Sequence, residues 1–287
     1  MGVKMNLLDE TKYIMKKYNV FAAKRFGQNF LIDDSVVAEI VSASSITKDD
    51  LVIEIGPGLG TLTKELLEKA GKVIAIEIDK KMIDILNDRF GLYDNFEIIE
   101  NDVLKVDLRT IIENNVGVDS ECQLSQTKVV ANLPYYITTP IIMKLLEDKL
   151  SLKSITVMVQ KEVADRLTCK PGSSDSGAIT YGIRYYTEPR KIIEVPREAF
   201  LPAPEVDSTV IKLEVLEKLS VVVESEEALF KVIKVAFMQR RKTLLNGLSS
   251  LDSKDNIQKM LLELGFDLKI RAERLTLEDF ARIANYM

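Results

Sequence analysis

The chain has no histidine and no tryptophan among its 287 residues, and it has only two cysteines, Cys122 and Cys169. The absence of histidine excludes Ser-His-Asp and Cys-His catalysis, histidine general bases and histidine-ligated zinc. The two cysteines are far apart and match no metal-ligand spacing, so we predict no metal site and, in a reducing compartment, no disulfide. Any chemistry must therefore depend on positioning, carboxylates, amides or a cofactor.

Long apolar runs are also absent. No stretch approaches the roughly 20 consecutive apolar residues of a membrane-spanning helix. Residues 1–17 mix polar and charged side chains, which argues against a signal peptide. We therefore predict a cytoplasmic protein without a membrane span. The net charge of −5 does not mark the whole chain as a nucleic-acid binder, so any basic surface must be local.

The chain does contain a regular alternation of short apolar runs and helical patterns. The runs predict strands at Leu51–Ile55, Val73–Glu77, Phe96–Ile99, Lys128–Ala131, Ile155–Val159, Ile192–Val195 and Thr209–Val215. The helical patterns are at Thr61–Ala70, Lys80–Phe90 and Pro140–Leu146. This alternation is typical of βαβ units, so we predict an α/β fold with a mostly parallel sheet covered on both faces.

Two polar segments interrupt this alternation, and the composition changes after about Leu216. Glu113–Thr127 predicts a long surface loop, and Lys170–Gly177 predicts a mobile one. Beyond Leu216 only helical patterns follow, at Glu226–Leu248, Lys254–Leu264 and Thr276–Asn285, the last with a capping box formed by Thr276 and Asp279. We therefore predict an α/β catalytic domain over residues 1–215 and a small all-helical domain over residues 216–287.

The glycine-rich segment Gly56–Gly60 follows a predicted strand and precedes a predicted helix. Glycines let the backbone approach a ligand closely, and a helix N-terminus favours an anionic group. Glu77 ends the next strand, 21 positions after Gly56, where folds of this type bind ribose hydroxyls. Asp102, after the third strand, can accept from an adenine amine. A dinucleotide fold predicts the same elements, and singly Glu77 and Asp102 fit a solvated strand end and a turn equally well.

The segment Asn132-Leu133-Pro134-Tyr135-Tyr136 follows the fourth predicted strand. Asn132 provides an acceptor oxygen, the extended backbone before Pro134 presents the Leu133 carbonyl, and Tyr135 provides a π-face. By itself such a segment is more often a strand-end turn. Together with the glycine-rich segment, it predicts a site for a flat, amine-bearing heterocycle.

Four features follow one another along the chain: E-x-G-x-G-x-G, an acidic end of the second strand, N-D after the third strand and N-L-P-Y-Y after the fourth. In this order they resemble the S-adenosylmethionine-dependent methyltransferases that modify the adenine amine. Within that class the chain closely resembles the KsgA family of ribosomal RNA adenine dimethyltransferases. Three further segments carry the resemblance, which runs from about Lys24 to the chain end: Lys24–Leu31, Phe200–Ser208 and Phe237–Asn246. It implies a monomer with a Rossmann-like class I methyltransferase domain that uses S-adenosyl-L-methionine.

The resemblance also implies a reaction and the residues that perform it. The reaction is dimethylation of two adjacent adenosines in a hairpin near the 3′ end of small-subunit (16S) ribosomal RNA, in the assembling 30S particle. The implied cofactor contacts are Asn29, Leu31, Gly56, Gly58, Glu77, Asp102 and Asn132. Asn132 and the Leu133 carbonyl would accept the two amine hydrogens, and Tyr135 and Phe200 would stack on opposite faces of the flipped-out base. By residue type alone, Phe200 is more typical of a core aromatic.

An RNA-binding face is predicted from the residues between Ala228 and Leu248, which include five basic and no acidic side chains. On a continuous helix, one arc would carry Lys231, Lys234, Arg241 and Lys242, which suits phosphate contacts. Arg240 would project among apolar residues, where it would pair with a carboxylate or extend toward water. A solvated helix surface explains such a charge run as well. The family resemblance favours RNA.

Three alternatives remain open. Related enzymes methylate large-subunit RNA and confer macrolide resistance, but they typically have asparagine at the position of Tyr136. A non-catalytic RNA-binding or assembly factor on the same fold would not need Asn132 and Tyr135. A nicotinamide dehydrogenase would explain the glycine-rich segment but would leave Asn132–Tyr136 without a purpose.

Overall fold

The computed structural model describes residues 5–22, 27–116 and 124–287. Residues 24–26 of the first family segment, and Cys122 with its predicted lack of a disulfide, lie outside these ranges. Within them, no helix is both long and apolar enough to cross a membrane. The same residues include no group of three or more histidine, cysteine or acidic side chains arranged to hold a metal ion.

Most strands of the described residues join one sheet. The strands are β1 (Phe30–Leu31), β2 (Asp50–Ile55), β3 (Lys72–Glu77), β4 (Phe96–Glu100), β5 (Gln126–Asn132), β6 (Leu152–Gln160), β7 (Thr187–Val195), β8 (Phe200–Leu201) and β9 (Ser208–Val215). The sheet has the order β4-β3-β2-β5-β6-β9-β7. The first five strands in this order are parallel, whereas β9 runs antiparallel to β6. The predicted strands of the alternating region all fall within β2 to β6.

The parallel register brings the polar strand ends Glu77, Glu100 and Asn132 to one edge of the sheet. Glu77 pairs with Glu100 and Asn132 pairs with Met158, while Ile55 leads directly into the glycine-rich segment. Every residue of β2 is buried, because helices cover both faces of a parallel sheet and its strands then read as nearly continuous apolar runs. The carboxyl edge therefore brings polar groups from several strands next to the glycine-rich segment.

The helices cover the sheet and form the C-terminal part of the chain. They are α1 (Leu7–Lys17), α2 (Asp34–Ser44), α3 (Thr61–Lys69), α4 (Lys80–Phe90), α5 (Leu108–Asn115), α6 (Thr138–Glu147), α7 (Lys161–Thr168), α8 (Ala178–Tyr186), α9 (Glu226–Met238), α10 (Leu244–Leu248), α11 (Lys254–Glu263) and α12 (Leu277–Tyr286). Side-chain caps fix several starts: Asp79 accepts from the Lys81 N–H at α4. The predicted capping box of Thr276 and Asp279 is confirmed at α12.

The chain divides into two compact units, and the second differs in its bounds from the predicted helical domain. The first unit is Met1–Ala164 with Arg190–Val215, and the second is Asp165–Pro189 with Leu216–Met287. The segment Asp165–Pro189 groups with the C-terminal helices because the fully buried Tyr181 packs its ring against Phe237 and Phe280, with centroids 5.4 and 4.9 Å away.

The described residues of the two predicted loops include secondary structure in the first and side-chain hydrogen bonds in the second. In Glu113–Thr127, α5 continues to Asn115, Val116 forms a bridge with Leu124, and β5 begins at Gln126, so the loop prediction is wrong at both ends. Residues 117–123 lie outside the described residues. Lys170–Gly177 contains no helix or strand, but the fully buried Ser176 anchors it by donating to the Ser173 and Glu273 carbonyls.

The prediction of one helix over Glu226–Leu248 is wrong. Helix α9 ends at Met238, and Gln239 leaves the helical region with φ −123° and ψ 54°. After a turn, the Leu244 N–H donates to the Ile270 carbonyl at 2.7 Å and α10 packs back against α9. The turn buries leucines that a straight helix would carry away from the unit. The three consecutive basic residues at 240–242 therefore lie in the turn, and not on a helical arc with Lys231 and Lys234.

Candidate active site

A cavity of about 220 Å³ lies at the carboxyl edge of the sheet, within the first unit. It collects residues from the glycine-rich segment, the ends of β3 and β5, the start of the segment after β4, and β1. The predicted site residues that line it are Asn29, Leu31, Gly56, Gly58, Glu77, Asp102, Asn132, Leu133 and Tyr135. Of the predicted catalytic and cofactor residues, only Phe200 is missing from this lining.

The glycine-rich segment curls around one side of the cavity. Gly56 and Gly58 have φ values of +66° and +57°, in the left-handed region that other residues rarely adopt. A Cβ added at Gly58 would contact the Phe30 ring at 3.6 Å. The Gly58 N–H donates to Glu77 Oε2 at 3.2 Å, which ties the segment to the end of β3. The backbone is thus brought close to the cavity and fixed there.

Glu77 has a carboxylate held by three backbone donors. Besides Gly58, the N–H groups of Ile78 and Asp79 donate to its Oε1 at 2.8 and 2.9 Å. The side chain is buried, and this burial raises the pKa of Glu77, whereas the three N–H groups partly oppose the rise. The carboxylate is therefore fixed in one orientation at the cavity wall, as a ligand with a pair of hydroxyl groups requires.

Glu54 is a second acidic residue at the cavity, and it is not among the predicted site residues. It is only 1% exposed, and its Oε2 accepts from the Thr63 hydroxyl at 2.6 Å. Burial, with a smaller effect of the nearby Glu77 charge, raises the pKa of Glu54 to about 8. Glu54 is therefore mostly neutral at pH 7. The glutamate that opens the E-x-G-x-G-x-G pattern was the available signal.

Asp102 lines the cavity from the segment that follows β4. Its Oδ1 accepts from the Leu104 N–H at 3.0 Å, and its own N–H donates to Asn101 Oδ1 at 2.8 Å. These bonds fix the turn and leave the carboxylate half-buried at the cavity. A half-buried acceptor of this kind matches an exocyclic amine donor.

Asn132 connects the end of β5 to the segment that contains β1. Its Nδ2 donates to the Asn29 carbonyl at 3.3 Å, and Asn29 Nδ2 in turn donates to the Gly27 carbonyl at 3.1 Å. The Leu133 N–H donates to the Met158 carbonyl at 3.2 Å, which holds the next peptide in place. With Nδ2 engaged, Oδ1 is the acceptor that the Asn132 side chain offers to a ligand.

The two consecutive tyrosines after Pro134 differ in their surroundings. The Tyr135 hydroxyl lies 2.6 Å from Ser208 Oγ, and burial raises the pKa of Tyr135 against the opposing effect of this bond. Tyr136 is 60% exposed, and its ring lies against Gly27, where an added Cβ would be 3.5 Å from Tyr136 Cδ1. The Tyr135 ring is therefore held in place at the cavity, and the Tyr136 ring lies beside it facing solvent.

Phe200 lies in the hydrophobic core and does not reach the cavity. It is 3% exposed and belongs to a buried cluster with Val36, Val195 and Val210. Its strand β8 pairs antiparallel with β1, where Phe200 is in register with the lining residue Leu31. The structure does not bring Phe200 together with Tyr135 as the two faces of one stacking site.

The predicted RNA-binding residues all lie in the second unit, and all are exposed. Lys231 and Lys234 project from α9, while Arg240, Arg241 and Lys242 lie in the turn before α10. Arg240 donates to the Ser174 carbonyl. Its partner is thus a backbone oxygen and no carboxylate, and of the two predicted alternatives the exposed side chain fits extension toward water.

Comparison with known proteins assigns the chain to a family. A sequence profile described as ribosomal RNA adenine dimethylase matches residues 20–287. A protein of Lachnoclostridium phytofermentans named ribosomal RNA small subunit methyltransferase A is 48% identical over 281 residues, covering 96% of this chain and 95% of its own. A protein of the same name from Clostridioides difficile is 46% identical over 277 residues, covering 96% and 94%.

Two solved structures match the fold over most of the chain. A dimethyladenosine transferase from Plasmodium falciparum has a TM-score of 0.72 and 28% identity, covering 88% of this chain and 95% of its own. The 23S rRNA methyltransferase ErmE has a TM-score of 0.67 and 22% identity, covering 89% and 98%, a likeness that concerns the fold alone.

These matches confirm the predicted Rossmann-like class I methyltransferase fold and the predicted family resemblance. They also confirm the predicted enzyme class, an S-adenosylmethionine-dependent methyltransferase of ribosomal RNA adenine, and with it the cofactor. The profile spans nearly the whole chain, including both compact units. The chain belongs to the ribosomal RNA adenine dimethylase family.

Proposed function

We propose that this protein dimethylates the exocyclic amines of two adjacent adenosines in a hairpin near the 3′ end of 16S ribosomal RNA, in the assembling small subunit. The observation that carries the proposal is the fixed amide of Asn132 at the cavity, next to the Leu133 carbonyl and the Tyr135 ring. The names of the small-subunit relatives support the choice of substrate. The monomeric state and the cytoplasmic location stay predictions.

The residues of the cavity fit S-adenosyl-L-methionine. Gly56 and Gly58 would hold its methionine portion against the backbone, Glu77 would accept from the ribose hydroxyls, and Asp102 would accept from the adenine amine. Asn29 and Leu31, on the segment tied to Asn132, would close over it. When bound, the cofactor supplies an electrophilic methyl group.

Asn132 and Leu133 would orient the target amine. The lone pair of an adenine amine is delocalised into the ring, which makes the amine a poor nucleophile. Asn132 Oδ1 and the Leu133 carbonyl accept its two hydrogens, so the nitrogen becomes pyramidal with its lone pair directed away from the ring. Because Asn132 is already held by the Asn29 carbonyl, no reorganisation is needed during the reaction. After the first methylation one hydrogen remains, and one of the two acceptors would hold it for the second transfer.

A strong base is not required for this chemistry. The amine becomes acidic only as its bond to the methyl group forms, so the proton can leave to solvent afterwards. This agrees with a chain that has no histidine. Orientation by preorganised dipoles is therefore sufficient, and it is the contribution that the cavity is built to make.

Tyr135 would stack on the target base after the base has left its helix. The Ser208 hydroxyl keeps the ring in place. The predicted position of Phe200 on the opposite face would require its ring to leave the core, so Tyr135 alone provides the stacking face in this proposal. The exposed Lys231, Lys234, Arg241 and Lys242 of the second unit would bind phosphates, which adds affinity without sequence information.

A methyl-transfer assay tests this function. The protein is incubated with methyl-labelled S-adenosylmethionine and with small subunits that lack the modification, large subunits, free 16S RNA or DNA, and the labelled base is then mapped. We expect two methyl groups on each of two adjacent adenosines of the small subunit. Label in the large subunit would support the macrolide-resistance class. Binding of small subunits without any label would support an assembly factor.

A further inference from the structure

Arg89, near the end of α4, lies outside the cavity and bonds to two elements at once. Its Nη1 donates to the Leu59 carbonyl in the glycine-rich segment, and its Nη2 pairs with Glu10 Oε1 of α1 at 2.6 Å. The Arg89 side chain is 15% exposed, and burial lowers its pKa, which the Glu10 carboxylate opposes. A guanidinium remains charged in proteins, so Arg89 is a largely buried cation that links α1 to the glycine-rich segment.

The Leu59 carbonyl lies at a sensitive position in that segment. The preceding residue, Gly58, is held by Glu77, which lines the cavity, and Leu59 is held by Arg89, which does not line it. The Leu59 side chain is buried in a cluster that includes Ile14 of α1. The conformation that brings the backbone to the cavity is thus held by two side chains, and one of them, Arg89, is itself paired with Glu10 of α1.

Glu10 makes the link specific to the docked position of α1. Its second oxygen, Oε2, accepts from Lys64 of α3 at 3.1 Å, and α3 is the helix that follows the glycine-rich segment. Glu10 therefore joins both neighbours of the segment, Arg89 on α4 and Lys64 on α3. If α1 moves away, both bonds are lost together and Arg89 keeps only its bond to Leu59.

We propose that Arg89 is a positioning residue that couples the docking of α1 to the affinity of the glycine-rich segment for the cofactor. The inference rests on the proposed use of this segment to bind S-adenosylmethionine. A coupling free energy between two sites is reciprocal. Docked α1 therefore raises cofactor affinity, and bound cofactor stabilises docked α1 by the same factor.

Two measurements on the full-length protein test the coupling, with S-adenosylhomocysteine as the probe. Calorimetry gives its affinity for the wild type, Arg89→Met and the matched control Asp88→Asn. Asp88 precedes Arg89 on α4 and pairs with Lys17 of α1 at 2.9 Å, but both side chains are about half exposed, so this pair adds little to the docking of α1 and does not involve the glycine-rich segment. We expect the affinity to fall about tenfold in Arg89→Met, as for loss of a hydrogen bond from a charged group, and less than about twofold in Asp88→Asn.

Hydrogen exchange of the α1 amides, with and without saturating S-adenosylhomocysteine, separates coupling from a merely structural role. In the wild type and Asp88→Asn the ligand should slow exchange in α1, whereas in Arg89→Met it should bind at saturation without slowing it. Glu10→Gln, which keeps the bond to Leu59, should also lose this protection, and it serves if Arg89→Met does not fold. If the wild type binds and the variants keep both its affinity and its protection of α1, the coupling is wrong but the cofactor site stands. No binding by the wild type overturns the proposed cofactor site, and this inference with it.

Discussion

The Tyr135 phenol and the Ser208 hydroxyl lie 2.6 Å apart and join the turn after β5 to the first residue of β9. Ser208 is fully buried, and its backbone is in register with Gln160 of β6. The stacking ring is thus fixed by the antiparallel part of the sheet, whereas Asn132 is fixed by the parallel part. The position of the Tyr135 ring relative to the Asn132 amide therefore depends on both parts of the sheet.

Removing either hydroxyl should reduce turnover by a few-fold and leave cofactor affinity unchanged. Tyr135→Phe and Ser208→Ala each delete the same bond, which is worth about 1 kcal/mol. The double variant should be no worse than the worse single variant, because residues in one bond are not additive. Steady-state kinetics and S-adenosylhomocysteine calorimetry are the measurements. Multiplying effects in the double variant would show that the two hydroxyls act independently.

Glu77→Gln should weaken S-adenosylhomocysteine binding by at least about tenfold, because the hydrogen bonds of a charged acceptor to ribose hydroxyls are lost. Glu100→Gln is the matched control, since Glu100 lies opposite Glu77 in the β3–β4 register but does not line the cavity. Calorimetry should show normal affinity for this control. NAD should show no comparable binding to the wild type, and tight NAD binding would support a dehydrogenase.

Glu54→Gln should change how stability depends on pH. The pKa of Glu54 is raised from 4.5 to about 8, so the folded state keeps a proton that the unfolded state has lost. Between these values the wild type loses stability as pH rises, at up to about 1.4 kcal/mol per pH unit from this group. Urea unfolding of wild type and variant should agree most closely below pH 4.5 and differ most at pH 8, where the variant should be more stable. A difference independent of pH would contradict a buried neutral Glu54.

The strand ends at the cavity were predictable because each depends on local sequence. Fully buried strands such as β2 are continuous apolar runs, and the polar residues that follow them mark the carboxyl edge. The placement of Glu77 and Asn132 beside the glycine-rich segment follows from parallel pairing alone.

Contacts between distant residues were not predictable in the same way. The break after Met238 depends on the Ile270 carbonyl, which binds the Leu244 N–H from 26 positions further along the chain. A hydrophobic pattern of period 3.6 continues across that break and favours one long helix. Similarly, the sequence pattern of Phe200 does not distinguish a core aromatic from a stacking ring, and the pairing of β8 with β1 decides for the core.

The basic turn should contribute phosphate contacts. Replacing Arg240, Arg241 and Lys242 together by alanine should weaken RNA binding and lower the slope of log affinity against log salt by about one for each lost contact. Because Arg240 already bonds to the Ser174 carbonyl, Arg241→Ala with Lys242→Ala should account for most of this change in slope. Lys259→Ala, at a lysine paired with Glu263 in the same unit, is the control. Filter binding at several salt concentrations measures the slope. An unchanged slope in the triple variant would make this turn an ordinary solvated surface.

Asn132→Ala tests the central claim, that orientation of the amine by a fixed amide carries the catalysis. The variant should fold and should bind RNA nearly normally, since the basic surface is unchanged. It should still bind S-adenosylhomocysteine through the glycine-rich segment and Glu77, with a loss of affinity much smaller than the loss of turnover, because the bond to the Asn29 carbonyl is the one fixed contact removed. Single-turnover methyl transfer on saturating small subunits should fall by about a hundredfold or more, as when one preorganised polar contact to a transition state is deleted. Methyl transfer at near the wild-type rate would contradict the mechanism.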